Sequence, residues 1–142
     1  MDILIWDKRD RPRRPAHPMA IRILIADDSD VMRATIASTL KADPAFEVVG
    51  EAASFAETLE RAGTLNPDIV LMDLHMPDGE RYSPEIVKGP LLQNGGCILA
   101  MCVWNDGDAI ALAKNIGAVA LLDKADLFST LISTIKMYCV KD

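Results

Sequence analysis

Four charged side chains stand where apolar runs end. Asp27 and Asp28 follow Ile21–Ala26, Asp73 follows Ile69–Met72, and Lys124 lies just past Val119–Leu122. The runs are short, β-branched or aliphatic, and each leads into turn or helix-start chemistry. If they are parallel strands of one sheet, their C-terminal ends share an edge, and the four charges converge in the crevice where open α/β sheets bind ligands. Three acids and one cation in a shared pocket describe a divalent-metal and phosphoryl site.

Each residue also has a blander reading. One of the acids in Asp27-Asp28-Ser29-Asp30 can serve as a helix N-cap, but a cap does not explain two neighbouring acids. Like charges packed together cost stability unless a cation holds them. Mg²⁺ suits the set, because it takes one or two carboxylates, waters and a phosphate oxygen. Asp73 alone could be a turn former. Its context is Leu71-Met72-Asp73-Leu74-His75-Met76-Pro77-Asp78-Gly79, a carboxylate between apolar neighbours before a tight loop. Such an Asp can attack phosphorus and form an acyl phosphate, with metal and Lys124 neutralising the transferred group. A lysine beside a helix start is electrostatically unfavourable, which points to an anionic partner.

Composition narrows the class. The 142 residues are half apolar and one quarter charged, as expected of one globular domain. No apolar run reaches the roughly 18 residues of a membrane span, and Ile3-Leu4-Ile5-Trp6 is too short for a signal peptide core. Cys97, Cys102 and Cys139 read as too few and too scattered for a disulfide framework or a zinc site, so a reducing cytoplasm is expected. The net charge of −6 argues against a nucleic-acid binder. Residues 1–19 form a proline-rich basic leader, expected to be poorly ordered. A basic interaction arm and a true start at Met19 are the other two readings of it.

The remainder alternates two periodicities. Strands are expected at Ile21–Ala26, Phe46–Ala52, Asp68–Met72, Cys97–Val103 and Val119–Leu122. Helices are expected over Val31–Leu40, from the Ser54 capping box to Arg61 with Gly63 as stop, and from Ser83 with a kink or break at Gly89-Pro90. Two more follow, one capped by Asp106 and ended by Gly117, the last capped by Asp126. Strands without polar alternation are covered on both faces. The expected fold is α/β: a doubly wound, flavodoxin-like, five-stranded parallel sheet of order 2-1-3-4-5 with helices on both faces.

Three segments together, Ile-Leu-Ile-Ala-Asp-Asp-Ser, Pro-Asp-Ile-Val-Leu-Met-Asp-Leu-His-Met-Pro-Asp-Gly and Gly-Ala-Val-Ala-Leu-Leu-Asp-Lys, resemble the receiver domain of two-component response regulators. The resemblance runs from Ala20 to about Val140, making 20–142 the receiver. Glu47-Val48-Val49-Gly50-Glu51-Ala52 is most similar to receivers that carry a helix-turn-helix output module. None follows here, so a stand-alone or separated receiver is expected. The resemblance implies Asp73 as phosphoacceptor and Lys124 as phosphoryl clamp. It also implies Mg²⁺ held by Asp27, Asp28, Asp73 and the His75 backbone carbonyl. It implies a histidine kinase or histidine phosphotransfer protein as donor, and no enzymatic activity beyond self-catalysed phosphoryl acceptance and hydrolysis.

Three positions depart from the family pattern. Cys102 stands where Ser or Thr is usual, Leu121 where an aromatic is usual, and Ala125 where proline follows the lysine. A thiol donates a weaker hydrogen bond than a hydroxyl. The acceptor chemistry is therefore expected intact, and the alternative is a receiver-fold interaction module that no longer switches. A downstream protein is expected at the Val103–Leu121 face, with Trp104 beside it, and a homodimer is open. An aspartate-nucleophile phosphatase would need a second Asp at position 75, where this chain has His75.

Overall fold

The structure is a computed structural model and describes residues 3–5, 20–92, 96–103 and 107–139. Among these residues, six strands form one sheet: β1 (Ile3–Ile5), β2 (Ile21–Ala26), β3 (Phe46–Ala52), β4 (Ile69–Asp73), β5 (Cys97–Cys102) and β6 (Ala120–Asp123), in the order β1-β6-β5-β4-β2-β3. Strands β2 to β6 are all parallel and reproduce the expected 2-1-3-4-5 arrangement. The helices are α1 (Asp30–Lys41), α2 (Phe55–Leu65), α3 (Pro84–Leu92), α4 (Gly107–Asn115) and α5 (Leu127–Tyr138).

The two faces of the sheet fill two separate cores, because successive strand residues point opposite ways. Leu24, Val70, Met72, Ile98, Ala100 and Leu121 pack with residues of α2, α3 and α4. Ile23, Ile25, Leu71, Leu99, Met101 and Leu122 pack with Ile36 and Leu40 of α1 and Leu131 and Ile135 of α5. This double covering explains the apolar strands read from sequence. Ser29 caps α1 by accepting from the Met32 N–H at 3.1 Å. Ser54 does the same for Glu57 on α2.

Several local stops fall elsewhere than expected. Gly63 lies inside α2, which runs on so that Leu65 packs against the core, and ends at left-handed Asn66 (φ 48°). Pro90 does not break α3, because buried Val87 and Leu91 on either side hold the turn against the core. Gly117 does end α4, at φ 88°, a conformation an L side chain resists. The Asp126 side chain makes no cap bond. Lys124–Asp126 form a 3₁₀ turn ahead of α5, and Asp123 caps that turn through the Ala125 N–H. Asp106, the expected cap of α4, lies outside the described residues.

Two expectations are corrected. Ile3–Ile5, placed by the sequence in a poorly ordered leader, pair antiparallel with β6, opposite Leu122, Leu121 and Ala120. The apolar cluster was noted, but the strand edge it pairs with is more than a hundred residues away in sequence. Cys97 and Cys139, judged too scattered to pair, are joined as a disulfide with Cα atoms 5.9 Å apart. The fold brings the start of β5 beside the end of α5, a proximity that spacing does not reveal. No described helix is long and apolar enough to cross a membrane.

Candidate phosphoryl and metal site

Strands β2, β4 and β6 deliver the four residues to one edge of the sheet. Asp27 follows β2 and is fully buried, Asp73 closes β4 at 1% exposure, and Lys124 follows β6. Asp28 is exposed beside Asp27. Backbone groups fix both buried carboxylates. The Ser29 N–H donates to Asp27 Oδ1 at 2.9 Å, and the His75 N–H donates to Asp73 Oδ1 at 3.0 Å. The loop after β4 is itself held down, since the Leu74 N–H donates to the Met101 carbonyl at 3.0 Å.

Lys124 Nζ lies 2.7 Å from Asp27 Oδ2 and 3.1 Å from Asp73 Oδ2, with its side chain 14% exposed. Burial pushes the Asp73 carboxyl above the ordinary range. The His75 N–H and Lys124 oppose that shift, and the charge of Asp27 adds to it. Burial alone would pull the Lys124 ammonium down, but its contacts to Asp27 and Asp73 outweigh that and hold it above its ordinary value. The lysine therefore stays charged between two acids.

The acids also fit a cation. One oxygen from each of Asp27, Asp28 and Asp73 lies within 4.8 Å of the others. Carboxylate oxygens so grouped are the kind of donors that Mg²⁺ takes, alongside waters. Asp27 Oδ2 is buried and, despite its ion contact, has no hydrogen bond of acceptable geometry. A buried carboxylate oxygen in that condition suits a metal ligand.

The structure thus brings Asp27, Asp28, Asp73 and Lys124 together. Cys102 ends β5, is fully buried, and pairs in register with Asp123, next to Lys124. Leu121 is also fully buried, in the same core cluster as Cys102. Leu121 offers no surface of its own, so of the two ends of the expected Val103–Leu121 face only Val103 is exposed. Trp104 lies outside the described residues. Sequence reading missed two positioning residues. Arg33 donates to the Asp27 carbonyl at 2.6 Å and pairs with Glu51 at 3.0 Å and with Asp30, tying α1 to the strand ends. Asp78 accepts from the Phe55 and Ala56 N–H groups. Arg33 could have been noticed from its i, i+3 spacing to Asp30, but no sequence signal links it to Glu51.

The sequence profile of the response regulator receiver domain matches residues 23–136. The chain belongs to this receiver family. A protein-glutamate methylesterase/protein-glutamine glutaminase of Anaeromyxobacter dehalogenans is 48% identical over 104 residues, 73% of this chain and 30% of that protein. The response regulator domain of Thermotoga maritima CheB superposes with a TM-score of 0.72 at 24% identity, covering 87% of this receiver and 98% of that chain. A structure from R. sphaeroides, of the CheA3 P1 domain in complex with CheY6, matches at 27% identity and TM-score 0.67, covering 83% and 95%.

The receiver therefore spans about 30% of the length of that methylesterase relative. These names correct one expectation. The sequence was read as having no enzymatic activity beyond its own phosphoryl chemistry, yet relatives that match this chain, through their receiver part alone, are named as enzymes. That negative reading does not stand.

Proposed function

We propose that this receiver takes a phosphoryl group onto Asp73 from a phosphohistidine donor, in the cytoplasm, with Mg²⁺ bound, and signals by protein contact. The observation that carries the reading is the buried Asp73 at one sheet edge, clustered with Asp27 and Asp28 and in ion contact with Lys124. An Asp73 oxygen forms the new O–P bond as the P–N bond to imidazole breaks, and the electron pair returns to the ring nitrogen. Water later cleaves the acyl phosphate to carboxylate and inorganic phosphate. Asp27, Asp28, Asp73 and the His75 carbonyl would hold Mg²⁺, which when bound would neutralise charge on the transferring group. Lys124 leaves Asp27 and Asp73 to hold a phosphoryl oxygen, and its buried stem limits how far it can swing. The His75 N–H keeps Asp73 oriented throughout.

The donor is a histidine kinase or histidine phosphotransfer protein. Support comes from the R. sphaeroides neighbour, which was solved bound to a P1 domain. The output protein docks around exposed Val103, and a homodimer through that end is the variant of this reading. Intact mass after incubation with acetyl phosphate and Mg²⁺ tests the proposal. One added phosphoryl group is expected, lost on chelation and in Asp73→Asn. Labelling that survives Asp73→Asn removes Asp73 from the role.

A second reading, a receiver that binds partners without switching, is favoured by Cys102 and Leu121, both fully buried where the family pattern has a hydroxyl and an aromatic ring. It predicts phosphorylation without a change at Val103.

A further inference from the structure

Cys97 and Cys139 sit at the opposite end of the sheet from the acids. Cys97 begins β5, and Cys139 follows the last residue of α5, 42 positions later. Their Cα separation of 5.9 Å falls in the range a disulfide spans without backbone movement. Both belong to the core shared with α1 and α5. Cys102 cannot compete. It lies an odd number of residues along the same strand from Cys97, so it faces the other core, where it remains a thiol.

We infer that Cys97 and Cys139 form a reversible redox site, a dithiol that oxidises to a disulfide pinning the end of α5 to the start of β5. A structural staple belongs to oxidising compartments, whereas a disulfide in a reducing one is transient and responsive. The proposed oxidant is a small-molecule disulfide of the glutathione class. One protein thiolate attacks it and releases one glutathione thiol, and the second protein thiolate displaces the other. Two cysteine thiols lose two electrons and two protons, and the oxidant gains them as two thiols. Cys139 is the entry point, since it lies beyond the last turn of α5, where helix ends open most readily.

The bond closes a long loop and so restrains the unfolded and partly opened chain. It lies five residues of strand from Cys102, roughly 17 Å, so the phosphoryl chemistry proceeds in both states. The pairing stands on the packing of β5 and α5; its reversibility rests on the cytoplasmic setting of the proposed function.

The test incubates the full chain with glutathione disulfide, then with dithiothreitol, under native conditions. Intact mass should fall by two hydrogens and recover. Alkylation in denaturant should reach one cysteine in the oxidised form and three in the reduced form. The oxidised form should melt higher, by on the order of 5–10 °C. In Cys139→Ser, two cysteines should alkylate whatever the treatment, and the melting difference should vanish. Mixed adducts with no internal bond, a bond that maps to Cys102, equal melting of the two forms, or a bond that dithiothreitol opens only in denaturant would each overturn the inference.

Discussion

Lys124 stands closer to Asp27 than to Asp73, at 2.7 Å against 3.1 Å. The lysine thus occupies the charge field that a cation would share. Lys124→Met should therefore tighten Mg²⁺ binding, by about tenfold or 1.4 kcal/mol, as titration calorimetry reads. The same variant should melt lower than wild type in chelator, because two buried acids lose their counter-charge, and should recover when Mg²⁺ is added. Unchanged Mg²⁺ affinity would show that ammonium and metal do not compete.

Asp78 fixes the loop after β4 to α2, accepting from Phe55 N–H at 2.8 Å and Ala56 N–H at 3.0 Å. Asp78→Ala should cost about 1 kcal/mol, as loss of a helix cap does. Hydrogen exchange at Phe55 and Ala56 should speed up, and Asp78→Asn should restore most of the protection. Exchange that stays at the wild-type rate would place the stability of that helix start elsewhere.

On the proposed reading, Cys102 is where acceptance and switching would separate. A typical hydrogen bond contributes roughly 0.5–1.5 kcal/mol net, so a weaker thiol donor can reduce a population shift severalfold. Cys102→Thr should enlarge the phosphorylation-linked amide shifts at Val103 and along β6, without changing the phosphorylated fraction. Shifts of equal size in wild type and variant would make the substitution silent.

The Asp43 carboxyl is held below the ordinary range, first by the Ala45 N–H and then by Lys136 at 2.9 Å. A depressed folded-state value means that the contribution is fully present above the unfolded value and is lost as pH falls through the folded one. Asp43→Asn should therefore lower the melting temperature slightly at neutral pH, and the difference should shrink as pH falls through the folded-state value. The neutral-pH effect should shrink in high salt, because Lys136 is exposed and Asp43 only partly buried. A difference that persists undiminished in acid would assign it to packing instead.

The parallel sheet was legible because its strands are buried on both faces and so lack polar residues. The four site residues were legible because each sits immediately past such a run. What escaped depended on contacts remote in sequence. Arg33 meets Glu51 only once β2 and β3 are paired. Asp78 looked like a loop residue until α2 turned its N-terminus toward it. Cys97 finds Cys139 only after α5 crosses back over the sheet. The pairing of Ile3–Ile5 needs β6 to be at the edge, which local pattern cannot say. Gly63 misled because an apolar face at Leu65 outweighed the cost of a glycine within the helix.

The short antiparallel β1 has a consequence for solubility. Open sheets invite a stranger's strand wherever a row of backbone N–H and C=O groups is left unpaired. Here β1 occupies three positions along β6, and so short a strand presents little template of its own. On the far side, β3 carries Glu47 and Glu51 and slips register against β2 between Ile23 and Leu24. Charge and a bulge blunt that side. Among the described residues, both flanks of the sheet thus discourage growth by strand addition.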